Sequence, residues 1–174
     1  IYNHKEIKSE LQDYPFRTAG DSETILALHR AYAWGCKSGD NPAQKHVEWV
    51  SKLDGMWGFS LWDPSVNELI LCRDPFGIKP LVRTQLSDGT LLFGSEVKAF
   101  RGHSEFSAKP DVTALAVRLA YEYPLDQTTL FLDVTSVGIG TIETWSIVEG
   151  KATLTGVARY WKPQVNPSDN WNPS

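Results

Sequence analysis

Over residues 5–12 the apolar pair Ile7 and Leu11 stands at i, i+4 among charged positions, a spacing that predicts a short amphipathic helix. Asp13-Tyr14-Pro15 ends it, and Phe16-Arg17-Thr18 has the chemistry of a brief strand. Gly20-Asp21-Ser22-Glu23 then turns into a second helix, with Asp21 or Ser22 placed to cap it. That helix is expected over 23–34, with Ile25, Leu28, His29 and Tyr32 on one face and Gly35 as its stop. Residues 36–45 are polar and carry Gly39, Asn41 and Pro42, which predicts a surface loop; 46–53 offers one more short helix, apolar at Val47, Val50 and Leu53.

After the Asp54-Gly55 turn the period drops to two. Trp57, Phe59 and Leu61 fall on one face of a strand, and Gly58, Ser60 and Trp62 on the other. Large side chains on both faces predict a strand covered on both sides. Residues 68–73 read as its partner strand, and 76–81 as an irregular link. Residues 81–84 and 90–95 flank Ser87-Asp88-Gly89 as a hairpin. Beyond a link at 103–110, residues 112–121 carry Val112, Leu115, Ala116 and Leu119 at helical spacing. Strand-like stretches fill 129–148, Glu149-Gly150 makes a further hairpin turn, and from Pro163 the composition is that of a linker or tail. Short helices followed by adjacent antiparallel strands give an α+β class rather than alternating βαβ units.

Composition narrows the function. At 174 residues and 41% apolar, the chain suits one domain that needs neither metal nor disulfides to hold a core. A net charge of −4 without a basic stripe argues against nucleic acid as a partner, and the short apolar runs argue against a membrane span. Two cysteines, with no CxxC pair, fit a reducing cytoplasm. The opening Ile1-Tyr2-Asn3-His4 reads as the inside of an element, so a fragment is expected. Familiar catalytic motifs are missing. Gly138-Ile139-Gly140-Thr141-Ile142-Glu143 has Glu where a dinucleotide loop needs its third Gly, and the four histidines lack metal-ligand spacing. No GxSxG elbow marks a serine nucleophile. Cys36 follows a helix C-terminus and Cys72 sits in an apolar strand, neither a setting that activates a thiol, so both are expected to be structural.

Five ordered blocks take the reading further: IYNHKEIKSEL (1–11), GDSETILALH (20–29), LDGMWGFSLWD (53–63), RDPFGIKPL (73–81) and LLFGSEVKAF (91–100). Together they resemble the glutaminase domain of glutamine-hydrolysing asparagine synthetases, a class II glutamine amidotransferase, with the likeness reaching Arg159-Tyr160-Trp161. The resemblance implies an Ntn-hydrolase fold, an αββα four-layer sandwich with two antiparallel sheets, over residues 1–162, and a linker or tail over 163–174. It implies attack on the glutamine amide by an N-terminal Cys whose own amine is the base, with release of ammonia. That ammonia would pass to a synthetase domain, in the same or a partner chain, where ATP-activated aspartate becomes asparagine.

In the family the Cys, a carboxylate-gripping Arg and an Asn-Gly-Glu motif precede the segment matching Ile1, so no catalytic residue and no metal ligand is expected within this sequence. ATP and Mg2+ would belong to the synthetase domain, because Ser38-Gly39-Asp40-Asn41 does not replace that domain's SGGxDS loop. Gly20 and Asp21 match positions that bind glutamine, Asp21 by pairing with the α-ammonium. Met56 and Ile78 match positions lining the ammonia passage. Arg73 and Asp74 are expected to anchor the 76–81 turn as a charged pair, and Glu96 and Lys98 to form an exposed or interface pair. A longer 36–45 loop bears on a subunit contact in a homodimer. Alternatives are a scaffold or regulatory domain without catalysis, or the equivalent domain of a lasso-peptide cyclase or β-lactam synthetase.

Overall fold

The computed structural model describes residues 1–36 and 39–164. Helices α1 (His4–Glu10), α2 (Glu23–Tyr32) and α3 (Val47–Val50), with a 3-10 helix at Pro42–His46, precede the first strands. Strands β1 (Gly58–Asp63), β2 (Glu68–Arg73), β3 (Val82–Gln85) and β4 (Leu91–Gly94) follow. A 3-10 helix (Val97–Gly102), α4 (Val112–Tyr121) and strands β5 (Thr135–Ser136), β6 (Thr141–Val148) and β7 (Lys151–Arg159) complete the order. Two antiparallel sheets result, one ordered β1-β2-β6-β7 and one β4-β3-β5. This is the αββα sandwich of the Ntn hydrolases.

Each layer boundary has its own core. Ile7, Leu28, Trp49 and Val50 from the helices pack on Leu61, Ile70, Cys72 and Ile142 of the larger sheet. Leu71, Leu81, Val137 and Trp145 fill the space between the sheets. Val82, Phe100 and Val134 close the far side beneath the 97–134 segment. Strand β2 contributes to both faces because it is central, and its residues 69–72 are buried or half-buried on each side. A charged clamp crosses the sandwich. Arg83 on β3 gives Glu143 on β6 two hydrogen bonds, 2.5 and 3.1 Å, and its guanidinium lies over the Trp145 ring at 5.0 Å.

Several sequence expectations need correction. Residues 16–18 are not a strand, because the N–H groups of Arg17 and Thr18 are taken by the Glu23 carboxylate instead of a neighbouring strand. The second half of the expected 36–45 loop is a 3-10 helix started by Pro42 and capped by the Asn41 side chain; positions 37 and 38 lie outside the described residues. The helix expected over 46–53 is one turn long. Residues 129–134 form turns and isolated bridges, leaving β5 only two residues. Strand β1 is not covered on both sides. It is an edge strand, and Trp62, 47% exposed, borders an open apolar cleft of about 440 Å³ with Phe93 and Trp145. The tail expected from Pro163 falls, from 165 on, outside the described residues.

A buried polar network ties the helical layer to the β1–β2 hairpin. Trp49 donates to His46 Nδ1 (3.0 Å), which leaves the His46 proton on Nε2 to be given to Glu68 (2.8 Å). Lys45 reaches the same Glu68 oxygen at 3.0 Å. Asp63 accepts from the Ser65 and Gly35 N–H groups. His29 stacks on His46 at 5.6 Å, and its Nε2 is buried without a hydrogen-bond partner, 3.7 Å from Asp63.

Two expectations follow from these buried groups. Arg83→Ala leaves the Glu143 carboxylate buried with only the Trp145 N–H, and should cost about 3 kcal/mol in urea unfolding; Arg83→Met with Glu143→Gln should recover at least roughly half of it. Burial first, and the neighbouring His46 second, push His29 from the ordinary 6.5 down to about 4. The unfolded chain therefore binds the extra proton between those values, so stability is full above pH about 6.5 and falls toward pH about 4, by up to about 3 kcal/mol. His29→Leu should flatten that slope in melting temperatures measured across the window.

Candidate functional site

The site is built around the link between β2 and β3. Asp74, buried at the end of β2, accepts hydrogen bonds from the backbone N–H groups of Phe76 and Ile78 (both 3.0 Å) and Lys79 (2.8 Å). Arg73 does the complementary work on carbonyls, donating to Gly77 (2.9 Å), Lys79 (3.0 Å) and Val137 (3.1 Å). The two residues anchor the turn as expected, but each through backbone groups and not through one another. Gly77 has φ +64°, and a Cβ there would sit 2.6 Å from the Ile139 side chain and 3.2 Å from the Arg73 guanidinium, so the sequence needs glycine at this point. The Asp74 backbone extends the hub: its N–H donates to the Trp57 carbonyl, and its carbonyl accepts from Gly140. The Tyr160 hydroxyl donates to the Arg73 carbonyl at 2.7 Å.

This turn delivers Lys79 and Pro80 to a cleft of about 320 Å³, whose other walls include Asp21, Met56, Trp57 and Ser95. Asp21 stands at the start of α2 with its side chain 46% exposed. Its carboxylate accepts from the Ile1 backbone nitrogen and, at 3.3 Å, from the Ser22 hydroxyl. The capping role considered for Asp21 and Ser22 is not what the side chains do. Ser22 is the N-cap residue but already has helical dihedrals and makes no side-chain cap; Thr24 bonds instead to the Asp21 carbonyl. The Asp21 carboxylate is thereby left to the cleft.

The other candidate residues are spread more widely. Gly20 adjoins Asp21 and is exposed. Met56 lines the cleft at 37% exposure, whereas Ile78 is 56% exposed on the outside of the turn and is not among the cleft-lining residues. Neither is a core residue. Glu96 and Lys98 form an exposed ion pair at 2.7 Å. Cys72 is buried, accepts from the Trp57 indole N–H at 3.4 Å, and is pushed up to about 12 by burial, the state of an inert core thiol. Cys36 is exposed, so the structural role expected for it has no packing to rest on. Sequence reasoning assigned no role to Lys79 or Ser95 as cleft residues, although both lie in the quoted RDPFGIKPL and LLFGSEVKAF blocks.

Among the described residues no group of three His, Cys, Asp or Glu side chains is placed to hold a metal ion, and no helix is long and apolar enough to cross a membrane.

The model of the glutamine amidotransferase domain family matches residues 1–161. Asparagine synthetase [glutamine-hydrolyzing] 2 of Bacillus subtilis is 36% identical over 103 residues, 59% of this chain and 12% of that protein. The protein of the same name from Oryza sativa subsp. japonica is 37% identical over 105 residues, covering 60% and 16%. Asparagine synthetase [glutamine-hydrolyzing] 1 of B. subtilis is 33% identical over 143 residues, covering 81% and 20%. The chain thus spans a fifth or less of the length of these relatives. Two solved structures share the fold over 92% of the chain and 27% of their own. One is the allosteric regulatory enzyme of purine biosynthesis (TM-score 0.58, 18% identity). The other is the glutamine phosphoribosylpyrophosphate amidotransferase from B. subtilis (TM-score 0.55, 17% identity). With nearly its whole described length matched in sequence and its two sheets stacked in the same fold, the chain belongs to the glutamine amidotransferase domain family.

Proposed function

We propose that this domain supplies ammonia from glutamine to an asparagine-forming synthetase domain, and that Asp21 binds the glutamine α-ammonium. The observation that carries the reading is the state of Asp21. Its carboxylate sits half-exposed on the wall of a cleft of suitable size, free of a side-chain capping role. A free amino acid offers an α-ammonium that such a carboxylate can pair with. Gly20 beside it lets the substrate approach the backbone closely. The similarity at 33–37% identity to glutamine-hydrolysing asparagine synthetases supports asparagine as the product.

The chemistry divides between this chain and its surroundings. Water and the glutamine amide become glutamate and ammonia through a thioester on the family's N-terminal cysteine, which lies ahead of the segment matching Ile1. The residues described here orient the substrate: Asp21 fixes the amino end, and the cleft wall at Met56 and Trp57 limits water around the leaving ammonia. Met56 on the cleft wall offers the leaving ammonia apolar surface, which gives a neutral molecule passage and a proton little foothold; Ile78, on the outer side of the turn, would join that passage only beyond the cleft. ATP and Mg2+ serve the synthetase domain. The overall reaction takes glutamine, aspartate, ATP and water to asparagine, glutamate, AMP and pyrophosphate, in a cytoplasmic enzyme that assembles as a homodimer.

Asp21→Asn in the assembled enzyme tests the assignment. A charge-assisted bond of about 1.5–3 kcal/mol predicts a rise in KM for glutamine of roughly 10- to 100-fold. The melting temperature and the synthesis of asparagine from added ammonium should hold. An unchanged KM with a lowered melting temperature would assign Asp21 to the fold instead.

A further inference from the structure

The indole of Trp57 is the largest side chain on the wall of the Asp21 cleft, and it is 4% exposed. Three attachments hold it there. Its backbone carbonyl accepts from the Asp74 N–H at 2.9 Å, which ties the root of the side chain to the β2–β3 turn. Its Nε1–H donates to the Cys72 Sγ at 3.4 Å, and sulfur, a weak acceptor, restrains that edge of the indole loosely. Its face lies against the Tyr160 ring, the planes 22° apart and the centroids 6.2 Å apart. Tyr160 is not among the cleft-lining residues, so its ring backs the indole instead of meeting the substrate. Of the three contacts this one bears on the face of the indole, and it sets how far Trp57 leans toward the cleft.

Tyr160, just past the end of β7, is itself held at both ends. Its hydroxyl donates to the Arg73 carbonyl at 2.7 Å. Burial raises that hydroxyl well above its ordinary range, so it stays a neutral donor. The Tyr160 N–H donates to the Gly140 carbonyl at 2.9 Å, and the Gly140 N–H donates to the Asp74 carbonyl at 3.0 Å. The approach of the two segments requires glycine at 140: its φ is +56°, and a Cβ there would lie 2.8 Å from the Trp161 carbonyl oxygen. Phe76 on the turn also meets the Trp161 ring, with centroids 4.8 Å apart. The segment after β7 is thus fastened to the turn by backbone and side chains together, and the Tyr160 ring has a fixed place.

We infer that Tyr160 is a positioning residue for glutamine hydrolysis, its ring being the stop that keeps the Trp57 indole against the bound substrate. This rests on the functional reading above. Without a ring at position 160 the indole has room behind it, and the bond to the Cys72 sulfur is a weak restraint on its swing. The cleft then widens, apolar contact with the glutamine methylenes is lost, and water enters beside the amide. Tyr160 touches neither the cleft nor the attacking cysteine, which the family places ahead of the segment matching Ile1. Binding should therefore suffer while turnover holds.

Kinetics and fluorine NMR of the assembled enzyme test the inference. Tyr160→Leu should raise KM for glutamine roughly three- to tenfold, the range that an aromatic pair of this kind covers, with kcat within about twofold of wild type. Tyr160→Met also lacks a ring, should raise KM in the same way, and covers a leucine variant too unstable to assay. Tyr160→Phe keeps the ring; KM should stay within about twofold, while the melting temperature falls because the Arg73 carbonyl loses its donor. A merely structural residue gives the opposite pattern, a lower apparent kcat from less folded enzyme with KM unchanged, and that result overturns the inference. In a Trp57→Leu background Tyr160→Leu should add nothing further to KM, and additive effects overturn it as well. With fluorotryptophan incorporated, the resonance that disappears in Trp57→Phe should move and gain a solvent isotope shift in Tyr160→Leu but not in Tyr160→Phe. An unmoved resonance overturns the inference without reference to turnover. A wild-type enzyme that releases no ammonia from glutamine overturns the functional reading alone, and the fluorine resonance still decides whether Tyr160 places Trp57.

Discussion

The Asp74 carboxylate holds three backbone N–H groups of one short turn, and the rest of the site is placed by that arrangement. A connection between two sheets must leave one ladder before it joins the next, and its peptide groups lose their strand partners on the way. Asp74 and Arg73 replace them from within the chain, one supplying acceptors and the other donors. Because Arg73 also reaches the Val137 carbonyl and Asp74 the Gly140 N–H, the turn is fastened to the entry of β6 as well as to β2. Lys79 and Pro80 are thereby held on the wall of the cleft that Asp21 also lines. Removing either side chain would free the turn at several points at once, each a buried polar group costing about 1–3 kcal/mol when unpaired.

The sandwich itself follows from where the sheets find cover. Sheet one has helices on one face and sheet two on the other, so its inner strand β2 is covered on both sides, and the hydrophobic run from Leu69 to Cys72 is the direct consequence. The ion pair of Arg83 and Glu143 interrupts the apolar inter-sheet layer. Bidentate geometry and the Trp145 face compensate both charges, and the pair fixes how the two sheets slide relative to one another, which apolar contact alone specifies loosely.

How far the sequence carried the reading depended on whether local chemistry was enough. Strand β2, the β3–β4 hairpin around Ser87-Asp88-Gly89, the Glu149-Gly150 turn and the span of α4 were legible because period and turn residues are local signals. Asp21 was reached only through the GDSE block of the family resemblance, since an Asp before a helix reads first as a cap. The misreadings share one cause. Periodicity shows that Trp62 or Leu119 lies on a face, but not what covers that face, and both turned out to border open space. Likewise nothing around Phe16-Arg17-Thr18 announces that Glu23, five to seven positions on, claims the N–H groups a strand would use. The His29–His46–Glu68 network was invisible for the same reason: it joins α2, the 3-10 helix and β2, whose proximity exists only after folding.

The acidic side chains show why Asp21 stands apart. Asp63, Glu68, Asp74 and Glu143 are all buried, and each is held by two or more donors from its own fold. For Glu68, burial works to raise the carboxyl, and the bonds from His46 and Lys45 outweigh it and hold it below the ordinary range. A carboxylate treated in this way is spent on structure, because any ligand would have to displace bonds already made. Asp21 is the opposite case. The fold asks of it a backbone carbonyl for Thr24 and carboxylate bonds from the Ile1 nitrogen and the Ser22 hydroxyl, and leaves its side chain half-exposed on the cleft wall. An exposed carboxylate on a cleft wall, spared by a helix that starts without a side-chain cap, is preorganised for a cation at little cost to stability, which is what recognition of an amino acid by its ammonium requires.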